Sequence, residues 1–194
     1  MSSTEKSERE RAAFHEAGHA VATLMLGGFV KEIRIAQEGG EGCIERPFTV
    51  LVPGIGQLPW QAGGNKWRKW QEDAFAEIVY SLSGPIAEQL YVYGDTRNCT
   101  IDDLLDNEMY WADLDYARDV VSTWQDIREP NQDYEPIVPT EAVELALSLA
   151  QRGANEIKVI AERLVADGSL TSKELPKVAS LRDCLSGLDL DNMV

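Results

Sequence analysis

In this 194-residue chain, His15-Glu16-Ala17-Gly18-His19 is the segment whose residue types and spacing point most directly to chemistry. Side chains four positions apart on an α-helix differ by only about 40° in direction and about 6 Å in rise. Two imidazoles so placed can reach a single metal ion. Glu16 projects from the same turn, beside the coordination position that such a site leaves open. There it can take a proton from zinc-bound water and return it to a leaving amine. Zinc would supply the Lewis acidity and lower the pKa of that water. The chain has no other histidine. Gly18 is costly in mid-helix, by about 1 kcal/mol relative to alanine, which predicts a close backbone approach by a neighbouring element.

A catalytic zinc site built on two histidines needs a third protein ligand. With no third histidine it should be a carboxylate. Glu88, Asp102, Asp103, Asp106, Glu108, Asp113 and Asp115 are all candidates. Composition and spacing do not choose among them.

The elements that must position these groups read as follows. Ser7-Glu8-Arg9-Glu10 is a capping box, so a helix should start at about Glu8. Ala13, Ala17, Ala20, Val21 and Leu24 recur on one face until Gly27-Gly28 stops it near Leu26. Phe29–Ala36 and Cys43–Val52 read as two strands around the Gly39-Gly40 turn, together a hairpin. Pro53–Lys69 is expected as a loop. Helices should follow at Trp70–Val92, Asn107–Asp126, Thr140–Gln151 and Ala154–Asp167, with a short one near Thr171–Ala179. Gly94–Leu105 and Glu129–Pro139 are connections. The fold class is therefore α+β and mainly helical, with a small sheet near the start. Residues 1–180 should form a single domain, and 181–194 a loose tail.

Composition narrows the partners. Hydrophobic residues at 44% and charged residues at 26% are globular values and exclude a disordered chain. Thirty-three acidic against 18 basic residues, a formal net charge of −15, argue against nucleic acid and against an anionic membrane surface. The longest apolar stretch, around Ala20–Leu26, falls far short of the roughly 20 residues that span a bilayer. The polar N-terminus lacks the apolar core of a signal peptide. Cys43, Cys99 and Cys184, an odd number without metal-like spacing, fit a reducing, cytoplasmic setting. Trp60, Trp67 and Trp70 gather near Arg68 and Lys69, either covering the core or forming a flap beside a cleft. The strand near Ile33–Ala36 could bind an extended substrate by edge pairing.

Phe14-His15-Glu16-Ala17-Gly18-His19-Ala20-Val21 resembles the active-site helix of the FtsH-type zinc metalloproteases. Val30-Lys31-Glu32-Ile33-Arg34-Ile35 resembles the strand that follows it there. Leu82-Ser83-Gly84-Pro85-Ile86-Ala87-Glu88-Gln89-Leu90 is similar to the family's Gly-Arg-x-Ala-Glu-Glu-Leu helix. Ala112-Asp113-Leu114-Asp115-Tyr116-Ala117 is similar to the Asn-Asp-Leu-x-x-Ala element that carries its third zinc ligand. Thr140–Leu175 resembles its C-terminal helix pair. The likeness spans most of residues 8–176, loosely, and only its first segment is highly specific.

The resemblance implies a zincin-like FtsH peptidase domain in which His15, His19 and Asp113 bind zinc and Glu16 is the general base. An alignment counted from Gly94 would substitute Asp103 for Asp113. Asp106, Glu108 and Glu88 also stay open as ligands, with Glu88 read mainly as a buried or paired structural carboxylate. The family joins its peptidase to a membrane anchor and an ATPase domain. This sequence shows neither, and Gly63-Gly64-Asn65-Lys66 does not fit a phosphate-binding loop. The expected activity is thus zinc-dependent endopeptidase cleavage of unfolded or flexible protein. A homo-oligomer or a separate ATPase partner is compatible with it. The rival readings are a non-catalytic, zinc-stabilised binding or regulatory module derived from such a peptidase, and a metal-free acidic adaptor.

Overall fold

The computed structural model describes residues 7–36, 42–45, 64–94, 104, 110–128 and 135–193. Helix α1 (Glu8–Met25) opens with the expected capping box: Ser7 Oγ accepts from the Glu10 amide, and Glu10 Oε2 accepts from the Ser7 amide. Its buried face is built from small residues, Ala13, Ala17 and Ala20, all fully buried. They let α2 (Asn65–Tyr93) run close alongside. A Cβ at Gly18 would run into the Ser83 carbonyl oxygen and the Ala87 methyl, so the expected close approach is present.

Helix α2 begins five residues before the expected Trp70. Trp67, Arg68 and Lys69 lie in its first turns, not in a loop. The misreading has a physical reason: aromatic and basic residues there leave no apolar period. Trp67 stacks on Trp70, with ring centroids 5.2 Å apart, and Trp70 meets Trp124 edge-on at 5.8 Å. These tryptophans pack against the core. Trp60 lies outside the described residues.

Helix α3 (Trp111–Arg128) packs on α2 through Leu114, Ala117, Val121 and Trp124. Helices α4 (Thr140–Arg152) and α5 (Ala154–Asp167) lie where expected. Gly168 ends α5 in the left-handed conformation, at a φ of 79°. The chain then turns into β3 (Ser169–Thr171). The helix expected near Thr171–Ala179 is absent, because Leu170 is drawn into the core opposite Ile33 instead.

The sheet is antiparallel, in the order β2-β1-β3. Strands β1 (Glu32–Ile35) and β2 (Gly42–Glu45) pair with Ile33 opposite Ile44 and Arg34 opposite Cys43, as the hairpin reading requires. Strand β1 is shorter than Phe29–Ala36, and the part of the second strand expected beyond Glu45 lies outside the described residues. Because β3 takes its other edge, β1 is central and cannot offer an edge to a substrate. Among the described residues the sheet's edges belong to β2 and β3. The molecule is thus α+β and mainly helical.

The expected loose tail is packed. Leu185 in α6 (Asp183–Ser186) and Leu190 in a following 3-10 turn (Leu190–Asn192) are fully buried. Arg68 Nη2 donates to the carbonyls of Leu185, Ser186 and Leu188 at 2.8–3.1 Å, and Gln71 donates to Asp191. The alternation of leucines at 181, 185, 188 and 190 was the available signal. Among the described residues, no helix is long and apolar enough to cross a membrane.

Candidate metal centre

His15 and His19 project from one face of α1 toward the first turn of α3. Asp113 reaches them from that turn, where a carboxylate also suits the positive end of the helix dipole. His15 Nε2 lies 3.0 Å from Asp113 Oδ2, His19 Nε2 lies 3.2 Å from Oδ1, and the two Nε2 atoms are 3.1 Å apart.

The outer nitrogens fix what the inner ones can do. His15 Nδ1 is 3.2 Å from Glu88 Oε2, and His19 Nδ1 is 2.8 Å from the Tyr80 carbonyl oxygen. A carboxylate and a carbonyl only accept, so each Nδ1 carries the proton and donates. Both neutral imidazoles then present Nε2 lone pairs to the same point, facing a carboxylate. Such a donor set takes up a cation, either a proton or a metal.

Geometry suits a metal. With metal–nitrogen bonds of about 2.05 Å, two tetrahedral ligand atoms sit about 3.3 Å apart, close to the 3.1 Å between the imidazole nitrogens. His15, His19 and Asp113 form the metal-competent cluster among the described residues. Charge suits a divalent ion. Among the described residues, the carboxylates of Glu8, Glu16, Glu88 and Asp113 line the cleft with one guanidinium, Arg11, so acidic groups outnumber basic ones around the two imidazoles.

In the metal-free chain the ionisations follow from the same contacts. Burial works against protonating His15, but its bonds to Asp113 and Glu88 outweigh that and hold its pKa at about 10. Burial would raise Asp113, yet the two histidines hold it well below the usual carboxylate range. Glu88 is likewise lowered, by His15 and Arg11 against burial. Glu16 moves the other way: burial raises it more than the histidines lower it.

Glu16 is 7% exposed and lines the cleft with the two histidines and Asp113. Its carboxyl lies against Gly42 of β2, where a Cβ would be 2.7 Å from Oε1. Gly84 does the same for His19: a Cβ there would overlap the imidazole ring. The cleft is about 570 Å³ and is bordered on the sheet side by Gly42, Cys43 and Ile44. That volume falls among those of small-molecule and cofactor sites.

The structure therefore brings together His15, Glu16, His19 and Asp113. Glu88 stands behind His15, not beside the inner nitrogens, and its Oε1 binds Arg11 at 2.7 Å. Asp115 faces solvent and pairs with Arg118. Asp102, Asp103, Asp106, Glu108 and Cys99 lie outside the described residues. Cys43 and Cys184 are free thiols. Sequence reasoning did not reach Arg11, Tyr80, Gly42 or Gly84. Arg11 had a signal, since it precedes His15 by one helical turn. The other three act through a backbone oxygen or a missing side chain, which spacing does not reveal.

No protein-family model matches this chain, and no curated protein does.

Proposed function

We propose that this chain is a zinc-dependent endopeptidase, with a zincin-like site, that hydrolyses peptide bonds in unfolded or flexible proteins. One observation carries the reading: two histidine Nε2 atoms and the Asp113 carboxylate converge at the base of a cleft, with Glu16 beside them. The likeness of Phe14–Val21 to the FtsH-type active-site helix agrees with it.

His15, His19 and Asp113 would hold the ion. Bound there, zinc would polarise the scissile carbonyl and make a water easier to deprotonate. Glu16 is the chain's own proton carrier. Placed beside the ion, its carboxylate can take a proton from water and give it to the leaving amine. Strand β2 borders the cleft and is one of the two outer strands of the described sheet. An extended peptide paired along it would lie across Glu16 and the histidines.

The test is cleavage of casein by the purified chain, before and after stripping with 1,10-phenanthroline and after adding back zinc. Cleavage that disappears on stripping and returns with zinc supports the reading. Cleavage that persists in the stripped chain overturns it. Stoichiometric zinc without cleavage of any unfolded protein replaces it with a zinc-stabilised binding module.

A further inference from the structure

The outer side of His15 carries more structure than orienting one ring requires. Arg11 lies one turn before it on α1. Arg11 Nε and Nη2 each lie 2.7 Å from Glu88 Oε1, while Glu88 Oε2 accepts from His15 Nδ1. One carboxylate thus spends each oxygen on a different partner. Tyr110 completes the set: its hydroxyl interacts with both Arg11 and Glu88. Its ring stacks on His15 at 6.0 Å, with the planes 23° apart. Tyr110 is 2% exposed, and it sits three residues before Asp113. The network therefore joins α1, α2 and the residue that leads into α3. These are the elements that supply the two histidines, their support and the third ligand.

We propose that Arg11, Glu88 and Tyr110 form an outer clamp that turns His15 Nε2 inward and fixes the start of α3, so that Asp113 meets both histidines before an ion arrives. The proposal rests on reading His15, His19 and Asp113 as a metal site. Arg11 is a positioning residue at the hub: it acts on the ligands through Glu88. Outer partners of this kind tune a metal's ligands by orienting them.

Arg11 offers a test whose sign separates positioning from simple electrostatics. A guanidinium near a dication repels it, so on Coulomb's law alone removing the charge tightens metal binding. If Arg11 positions the ligands, removing it weakens binding. Zinc dissociation constants, by competition with a chromophoric chelator, are to be measured for the natural chain, Arg11→Met, Arg11→Lys and Tyr110→Phe. Arg11→Met is expected to bind about tenfold more weakly, the lower end of the range for losing an outer partner. Arg11→Lys, which keeps the charge and one donor to Glu88, should recover part of that loss. Tyr110→Phe keeps the stacked ring and removes only the hydroxyl, so it reports on the clamp even if Arg11→Met does not fold. It should weaken binding in the same direction, by less. The cobalt-substituted Arg11→Met chain should also show a shifted visible absorption spectrum, because its ligands are held differently. Zinc bound as tightly or more tightly by Arg11→Met and Tyr110→Phe as by the natural chain overturns the clamp and leaves the metal site standing. A natural chain that binds no zinc overturns the metal site itself, and the clamp with it.

Discussion

On the His15 side of the cleft, the imidazole is held by side chains. Glu88 accepts from its Nδ1, Arg11 anchors Glu88, and Tyr110 stacks on the ring. On the His19 side, the ring lies against the backbone of α2. Its Nδ1 donates to the Tyr80 carbonyl, the Tyr80 ring stacks on it at 4.4 Å, and Gly84 leaves the space it fills. The two histidines of one motif thus depend on different physics. One is set by charged, substitutable groups and responds to pH. The other is set by packing and by a carbonyl that no substitution removes. The first is open to tuning, whereas the second tolerates little change.

The largest break should come on the packed side. Gly84→Val places a side chain where the His19 ring lies. It should cost about 3 kcal/mol of stability, at the upper end for overpacking, and abolish zinc uptake. Urea unfolding and metal analysis of the same preparation check both. A Gly84→Val chain that binds zinc normally would show that the ring has room elsewhere.

A smaller and graded effect belongs to the charged side. His15's raised pKa has a definite sign. Its contribution to the stability of the zinc-free chain is complete below the ordinary value of 6.5 and is lost as pH rises through about 10. Zinc must displace that proton. Apparent zinc affinity should therefore rise about tenfold per pH unit between pH 6.5 and 8.5. Competition titrations across that range read the slope directly, and a flat profile would mean that His15 is already neutral in the zinc-free chain.

The smallest effect should fall on the backbone behind His19. Thr23 Oγ1 donates to the His19 carbonyl at 2.8 Å, and both residues are buried. Thr23→Val removes that bond at nearly constant shape. It should cost about 1 kcal/mol in urea unfolding and leave zinc affinity unchanged. A matching loss of affinity would extend the packed side's influence further along α1 than the contacts around the ring suggest.

The same contrast explains what could be read from the sequence. His15, Glu16 and His19 lie within one turn of one capped helix, so local spacing places them together. The amphipathic periods of α1, α4 and α5 are local for the same reason. Asp113 comes from a different helix nearly a hundred residues on, and no periodicity selects it over its acidic neighbours. The likeness of Ala112–Ala117 to the third-ligand element of FtsH-type proteases points to it, and the structure sets its carboxylate against both imidazoles. The start of α2 was hidden because Trp67, Arg68 and Lys69 carry no apolar period. Strand β3 was hidden because three residues are too few to show alternation, and its pairing with β1 is long-range. Gly84 and Gly42 contribute by lacking a side chain, and a single sequence does not say what occupies that space.

The most direct test of the central claim compares the natural chain with Glu16→Gln, measuring zinc per chain and casein cleavage on the same samples. Gln keeps the size of Glu16 and removes its ability to carry a proton. One zinc per chain in both proteins, with cleavage by the natural chain alone, is the expected result. Full cleavage by Glu16→Gln, or no zinc in either protein, would contradict it.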